Sequence, residues 1–128
     1  MRIGSYSFDS SLVIDEIKKH GYKTVLLQLP DGIKRYASFV VDEVESKTDA
    51  RVMVSVDPCY GACDVPLCAA KTLGVDLLVQ LGHLPIPNLR FSFPVLFVNV
   101  VADAREEEGV KRAIKSLVGR RVGLVTTA

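Results

Sequence analysis

Short apolar segments alternate with helical segments along the chain, and this alternation restricts the possible fold more than any other feature. The apolar segments lack the polar positions of a half-exposed strand, which is typical of parallel strands buried on both faces. Strands that alternate with helices require right-handed crossovers and place helices against the sheet. We therefore predict an α/β fold with an open parallel sheet of four to five strands and helices on both faces. The predicted strands cover residues 24–29, 51–56, 76–81 and 95–101, and helices are predicted up to Gly21 and over residues 33–46, 65–73 and 106–117.

The length and composition are those of a single α/β domain. The chain has 128 residues, of which 48% are apolar and 24% charged. This balance is typical of a packed globular domain and not of a disordered or fibrous chain. We predict one domain over residues 1–121. Residues 122–128 begin with another apolar segment, residues 122–126, which is either a fifth strand or the start of the next domain.

The charge balance argues against partners that are held by bulk electrostatics. Sixteen basic residues against 15 acidic ones give a net charge of +1. A nucleic acid or an anionic membrane would call for a strong excess of positive charge, so we expect neither as a partner. The first residues also lack the pattern of a secretion signal, and three cysteines is an odd number for a disulfide scaffold. These features predict a cytoplasmic protein.

Reactive side chains follow the predicted strands, where the carboxyl ends of parallel strands form ligand sites. Asp31 and Gly32 follow the first strand, the segment 57–64 follows the second, and His83 follows the third. Asp31 either holds a polar ligand at the start of a helix or simply belongs to the turn that ends the strand. His83 is either a proton carrier or ligand, or a hydrogen-bonded loop histidine. Tyr60 stacks on a ligand or fills the loop.

The three cysteines lie close together, at positions 59, 63 and 68. Thiolates bind zinc and iron–sulfur clusters, and a nearby glycine such as Gly61 lets the backbone approach the ligand. However, the Cys-x3-Cys-x4-Cys spacing does not match zinc ribbons or ordinary radical enzymes that use S-adenosylmethionine. Cys68 falls inside a predicted helix beside two alanines, which favours a buried, inert thiol. Cys59 and Cys63 lie in a turn and are candidates for ligand or redox use.

Three motifs together resemble the amino-terminal domain of the archaeal diphthamide synthase family. They are Gln28-Leu-Pro-Asp-Gly32, Asp57-Pro-Cys-Tyr-Gly-Ala-Cys-Asp64 and Gln80-Leu-Gly-His83, in this order, and the resemblance runs over residues 11–128. It implies a noncanonical radical enzyme that cleaves S-adenosylmethionine with a 4Fe-4S cluster. The enzyme transfers a 3-amino-3-carboxypropyl group to a histidine of translation elongation factor two. The resemblance also implies a homodimer of chains with three similar α/β domains, each of which donates one cysteine.

The resemblance also assigns site residues. It makes Cys63 the cluster ligand of this domain, and it gives no ligand role to Cys59 or Cys68. Together with the loop positions, it predicts that Asp31, Gly32, Tyr60, Gly61 and His83 contact the cofactor or substrate, with no catalytic residue in the chain. Leu84 departs from the family, which often has serine after Gly-His. With only one of the three cysteines, these residues alone are expected to be inactive.

Two other functions remain open at this point. A quinolinate-synthase-like iron–sulfur dehydratase also resembles a three-domain architecture with one cysteine per domain. Alternatively, the chain is a stand-alone metal or redox module that uses Cys59 and Cys63. The Tyr-Gly-Ala-Cys-Asp and Pro-Asp-Gly motifs favour the transferase over the dehydratase, whereas an open reading frame that continues past Ala128 would distinguish the transferase from the module.

Overall fold

The fold is a layered α/β structure built on a four-stranded parallel sheet. A computed structural model describes residues 1–103, 107–119, 121 and 123. Its elements are, in chain order, β1 (Arg2–Ile3), β2 (Tyr6–Ser7), α1 (Ser11–His20), β3 (Thr24–Gln28), α2 (Asp31–Lys34), α3 (Ala37–Glu45), β4 (Arg51–Val54), α4 (Leu67–Leu73), β5 (Leu77–Leu81), β6 (Val95–Val98), β7 (Val101–Ala102) and α5 (Glu107–Ile114), followed by a 3-10 turn over Lys115–Leu117. The sheet order is β4-β3-β5-β6, and all three pairings are parallel. The predicted fold class is confirmed.

Helices cover the sheet on both faces, which explains why the central strands are mostly apolar. On one face, α1, α2 and α3 pack their apolar residues against alternate residues of β3 and β5, including Val25 and Val79. On the other face, α4 packs Ala70 against Leu26 and Leu78, which are paired in the parallel register. β3 and β5 are therefore buried on both sides, and hydrophobic burial on two faces is the main force that fixes their place in the middle of the sheet.

Two predicted elements were clearly wrong in extent, whereas the bounds predicted for β3, β4, β5 and α4 differ from the structure by at most two residues. The helix predicted over residues 33–46 is split into α2 and α3, because the chain turns at Arg35 and Tyr36. Tyr36 packs against the core while the Arg35 guanidinium lies 4.8 Å from the centre of its ring. The strand predicted over residues 95–101 ends at Val98, and Val101 belongs to another sheet.

That second sheet was not predicted at all. It is antiparallel, with three strands of two residues each in the order β1-β2-β7. β2 pairs with a strand that lies far away in the sequence, because Tyr6 pairs with Ala102 and Ser7 with Val101. Strands this short carry almost no periodic signal, so pairing across the whole chain could not be read from local sequence.

The carboxyl-terminal part is described less completely. α5 and the turn after it lie within the helix predicted over residues 106–117, and none of their described residues is buried. The predicted fifth strand over residues 122–126, and the boundary at 122–128, lie outside the described residues except for Gly123. Among the described residues, no helix has the length and hydropathy that crossing a membrane requires.

Asp76 joins the amino-terminal ends of the two central strands. Its Oδ2 accepts hydrogen bonds from the backbone N–H of Lys23 at 2.8 Å and of Thr24 at 2.9 Å, and from the Thr24 hydroxyl at 3.0 Å. The two backbone hydrogen bonds hold the pKa of Asp76 below its ordinary value of 3.8, against the opposing effect of partial burial. A carboxylate that accepts several hydrogen bonds stabilises the folded state only while it is ionised.

Asp76→Asn is therefore expected to lower the free energy of unfolding at pH 7 by about 1 kcal/mol, because a neutral amide accepts weaker hydrogen bonds than a carboxylate. The contribution of Asp76 is present above the pKa of the unfolded carboxyl and is lost as the pH falls through the lower folded value. The difference between variant and wild type should therefore shrink in acid. Urea unfolding at pH 7 and pH 3 measures it, and a difference that stays constant with pH contradicts this role.

Candidate functional site

The carboxyl edge of the sheet brings the loops after β3, β4 and β5 together, as the strand order requires. Lys34, at the end of α2, ties two of these loops to each other. Its Nζ donates to Asp31 Oδ1 at 2.7 Å and to the backbone oxygen of Asp57 at 2.6 Å. Asp31 is the first residue of α2. Its half-exposed carboxylate is already paired with the Lys34 ammonium group.

The loop between β4 and α4 closes on itself through Asp64. The backbone N–H of Tyr60 donates to Asp64 Oδ2 at 3.1 Å, and the N–H of Asp64 donates to the Gly61 oxygen at 3.1 Å. This closed turn, residues 60–64, carries Cys63 at an exposed position. Tyr60 is 85% exposed, so its ring does not fill the loop. The turn therefore presents both a thiol and an aromatic side chain to solvent.

All three cysteines are free thiols, but their burial differs from the prediction. Cys68 lies in α4 as predicted, yet it is exposed, and the prediction of a buried core thiol was wrong. α4 has only seven residues and presents Ala70 to the sheet, which leaves Cys68 on the solvent side. Cys59 is the buried cysteine, at 6% exposed, because the loop folds back over the ends of the strands.

Cys59 lies in a small polar cluster with Gln80 and His83. The Gln80 Nε2 atom donates to Cys59 Sγ at 3.1 Å and lies 3.3 Å from the Gly61 oxygen, while His83 Nδ1 is 3.9 Å from the same sulfur. Burial raises the pKa of the Cys59 thiol, and the Gln80 hydrogen bond opposes this in part. A neutral, enclosed thiol is a poor nucleophile and a poor metal ligand. Cys59 is thus enclosed by its contacts with Gln80 and His83, whereas Cys63 is exposed.

Gly61 leaves space beside the Cys63 sulfur. A Cβ atom built on Gly61 would lie 3.9 Å from Cys63 Sγ, in ordinary van der Waals contact. The backbone of Gly61 does not need a glycine, because its φ is not in the left-handed region. The missing side chain therefore keeps one side of the sulfur open. At Gly32 an added Cβ would meet no other described atom within 4 Å.

Gly82 fixes the contact between the loops after β3 and β5. Its φ of +86° favours glycine, and a Cβ there would lie 2.8 Å from Pro30 Cγ. Gly82→Ala is expected to lower the free energy of unfolding by about 2 kcal/mol, because it adds backbone strain and a clash with a rigid ring. Gly32→Ala is the matched control and should have no destabilising effect, since alanine favours a helix and meets nothing there. Urea unfolding of both variants checks this, and equal effects would show that the close contact is unimportant.

The structure therefore separates the predicted site residues into two groups. Gly61 and His83 meet around Gln80, whereas Cys63, Tyr60 and Asp31 are at least partly open to solvent. Sequence reasoning missed the roles of Gln80 and Lys34. Gln80 had a usable signal, because Gln28 and Gln80 are polar residues at the ends of otherwise apolar strands. Among the described residues, no group of three His, Cys, Asp or Glu side chains could hold a metal ion.

Comparisons with known proteins point to one family. The model of the diphthamide synthesis protein family matches residues 29–128. Mouse 2-(3-amino-3-carboxypropyl)histidine synthase subunit 1 is 40% identical over 99 residues, which is 75% of this chain and 23% of the mouse protein. The 2-(3-amino-3-carboxypropyl)histidine synthase of Pyrococcus horikoshii is 32% identical over 125 residues, or 96% of this chain and 36% of that protein.

A solved structure shares the fold. The crystal structure of Dph2 from Pyrococcus horikoshii with a 4Fe-4S cluster superimposes with a TM-score of 0.77 at 32% identity, over 87% of this chain and 32% of that one. A second crystal structure of the same protein gives a TM-score of 0.75 at 31% identity. The chain thus spans between about a quarter and just over a third of the length of the relatives it matches.

Proposed function

Because the chain belongs to the diphthamide synthesis family, we propose that it forms the first cluster-binding domain of a 3-amino-3-carboxypropyl transferase. In this proposal the full-length protein cleaves S-adenosylmethionine and transfers the 3-amino-3-carboxypropyl group to a histidine of translation elongation factor two. The observation that carries the proposal is Cys63, an exposed thiol in the family motif at the carboxyl edge of the sheet. The relatives are named 2-(3-amino-3-carboxypropyl)histidine synthases, which supports a histidine that carries this group as the product.

The residues around Cys63 fit one corner of an iron–sulfur cluster. The sulfur is exposed, and the absent side chain at Gly61 leaves the adjacent side of the sulfur uncovered. Cluster irons are held by thiolates, and this chain offers one that is suitably placed. We propose that the other thiolates come from two further domains of the same full-length chain, in keeping with the share of the relatives that this chain spans.

A reduced 4Fe-4S cluster, when bound, supplies the single electron that breaks a carbon–sulfur bond of S-adenosylmethionine. In this proposal the residues of this chain hold the loop that carries Cys63 and orient the substrate. Asp64 closes the turn that carries Cys63, and Lys34 fastens the loop after β4 to α2. The exposed Tyr60 ring can stack on a planar or cationic group such as a sulfonium compound. Asp31 offers a carboxylate to a cationic substrate at the same edge.

The assembly and location follow the same proposal. We propose that the full-length protein is a homodimer that acts in the cytoplasm, where elongation factor two is available as the protein substrate. The family match favours this transferase over a quinolinate-synthase-like dehydratase and over a stand-alone redox module. The module also requires Cys59 to act beside Cys63, and the burial of Cys59 disfavours that pairing.

The experiment is a complete transfer assay. The full-length protein is reconstituted anaerobically with iron and sulfide, reduced, and incubated with S-adenosylmethionine and purified elongation factor two. Mass spectrometry of the elongation factor should show the addition of one 3-amino-3-carboxypropyl group on a single histidine-containing peptide. An elongation factor in which that histidine is replaced is the control. A full cluster without any transfer would contradict the transferase.

A further inference from the structure

Two glutamines occupy matching positions in the two central strands of the sheet. Gln28 is the last residue of β3, and Gln80 lies opposite it in the parallel register of β5. Their side chains are 1% and 0% exposed, so both amides are withdrawn from water. The Oε1 atom of each glutamine has no hydrogen-bond partner among the described residues. Burying an amide whose hydrogen bonds are incomplete lowers stability, so packing alone does not account for a polar residue at these positions.

Gln80 differs from Gln28 in what it contacts. Its Nε2 atom contacts two points of the loop between β4 and α4, Cys59 Sγ at 3.1 Å and the Gly61 oxygen at 3.3 Å. Both points lie shortly before Cys63 in the chain. The same nitrogen is 3.5 Å from His83 Nδ1, so one amide joins the loops after β4 and β5. Gln28 has no hydrogen bond to this loop in the described part of the chain.

The anchor lies on the rigid part of the fold. Gln80 belongs to a central strand that is paired on both sides, by β3 and by β6. The Cys63 turn, in contrast, is held by its own internal hydrogen bonds and has an exposed end. The residues of a site are held in place by the packing and hydrogen bonds of the residues that surround them. The contacts of Gln80 therefore connect the loop that carries Cys63 to a strand that is fixed by the pairing of the sheet.

We propose that Gln80 is a positioning residue that holds the loop between β4 and α4 through Cys59 and Gly61, so that the Cys63 thiol faces outward in one fixed place. Cys59 serves as a hydrogen-bond acceptor in this arrangement and not as a ligand. The part of the proposal that concerns cluster binding rests on the function proposed above. The attachment of the loop to the sheet does not, and it can be measured without a cluster.

The first test is the alkylation of Cys59 in the 128-residue chain. Gln80→Met removes the amide but keeps the length of the side chain, and Gln28→Met is the matched control in an equally buried position. Because Cys59 is buried, it should react only when the loop opens, and its thiol then has the same acidity in every variant. Iodoacetamide labelling with peptide mass spectrometry should therefore show Cys59 reacting about tenfold faster in Gln80→Met, which corresponds to the loss of one hydrogen bond that holds the loop closed. Gln28→Met should stay close to wild type. Equal rates in the two variants would overturn the proposal.

A second variant covers the case in which Gln80→Met does not fold. Cys59→Ala breaks the same contact from the side of the loop and leaves the sheet unchanged, whereas Cys59→Ser keeps an acceptor. Hydrogen exchange at the backbone amides of Tyr60 and Asp64, which are bonded within the turn, should be about tenfold faster in the alanine variant. The serine variant should restore slow exchange. Identical exchange in both would contradict the anchoring role.

The link to the cluster is tested in the full-length protein. Gln80→Met should release iron to a chelator about tenfold faster than Gln28→Met and should alter the electron paramagnetic resonance spectrum of the reduced cluster. Identical release and identical spectra would overturn the positioning of Cys63 by Gln80. A wild-type protein that binds no cluster would contradict the proposed function instead, and the alkylation rates would then decide whether Gln80 holds the loop.

Discussion

Replacement of Cys63 by serine is expected to remove both the iron–sulfur cluster and the transfer activity of the full-length protein. A serine hydroxyl is far less acidic than a thiol and binds iron much more weakly than a thiolate does. In the proposed cluster, which three protein thiolates would hold, the loss of one ligand should reduce transfer by more than about 100-fold, which exceeds the loss that an outer-shell partner causes. Iron, sulfide, the visible spectrum and the mass of the elongation factor are measured on the same anaerobic samples.

Cys68→Ser is the matched control for this experiment. Both cysteines are exposed and lie close together in the chain, but Cys68 belongs to α4 and lies outside the closed turn. Because both side chains face solvent, neither substitution should change the free energy of unfolding by more than about 0.5 kcal/mol. Cys68→Ser should keep its cluster and its activity. A Cys63→Ser variant with a full cluster and normal turnover would overturn the assignment of the ligand.

The parallel sheet could be predicted because each of its strands is marked by the composition of a short local segment. β3 and β5 are mostly apolar and are followed by turns, and burial on both faces requires such composition. The antiparallel sheet of β1, β2 and β7 could not be predicted, because Tyr6 pairs with the distant Ala102. Neither of these two-residue strands is long enough to show the alternation of apolar and polar residues that marks a strand. The break between α2 and α3 was missed for a related reason. It depends on the packing of Tyr36 against the core, and local periodicity does not report that contact.

The sequence predicts a position for the candidate site, but it could not predict the contacts within it. The rule that ligands bind at the carboxyl ends of parallel strands led to the loop between β4 and α4, and the motif led to Cys63. Burial of the other two cysteines was not predictable from secondary structure. A cysteine in a turn is buried when the turn folds over a strand end, as Cys59 does, and one in a short helix is exposed when a neighbour such as Ala70 makes the contact with the sheet. The support by Gln80 likewise depends on which strand lies beneath the loop.

The second large effect is expected from the 128-residue chain alone, which should fold but fail to retain a 4Fe-4S cluster. Cys63 is exposed and free to bind, but Cys59 is enclosed with its sulfur on Gln80, and Cys68 lies on α4 outside the turn. No three metal-binding side chains cluster anywhere in the described ranges. After anaerobic reconstitution and desalting, the chain should therefore keep less than about a tenth of the cluster that the full-length protein holds, because one thiolate does not anchor a cubane.

A Cys63→Ser form of the same chain distinguishes specific from adventitious iron. If the wild-type chain retains only loosely bound iron, both forms should contain equal traces after desalting and show no sulfide-to-iron absorption. A nearly complete cluster in the wild-type chain, lost on Cys59→Ala, would contradict the prediction and make Cys59 a ligand. That outcome would require the thiol to leave Gln80 and the loop to detach from the sheet. The buried Gln80 amide would then lose its hydrogen bonds to the loop, so cluster binding would have to be tight enough to offset this loss. One chain offers too few exposed thiolates for such binding.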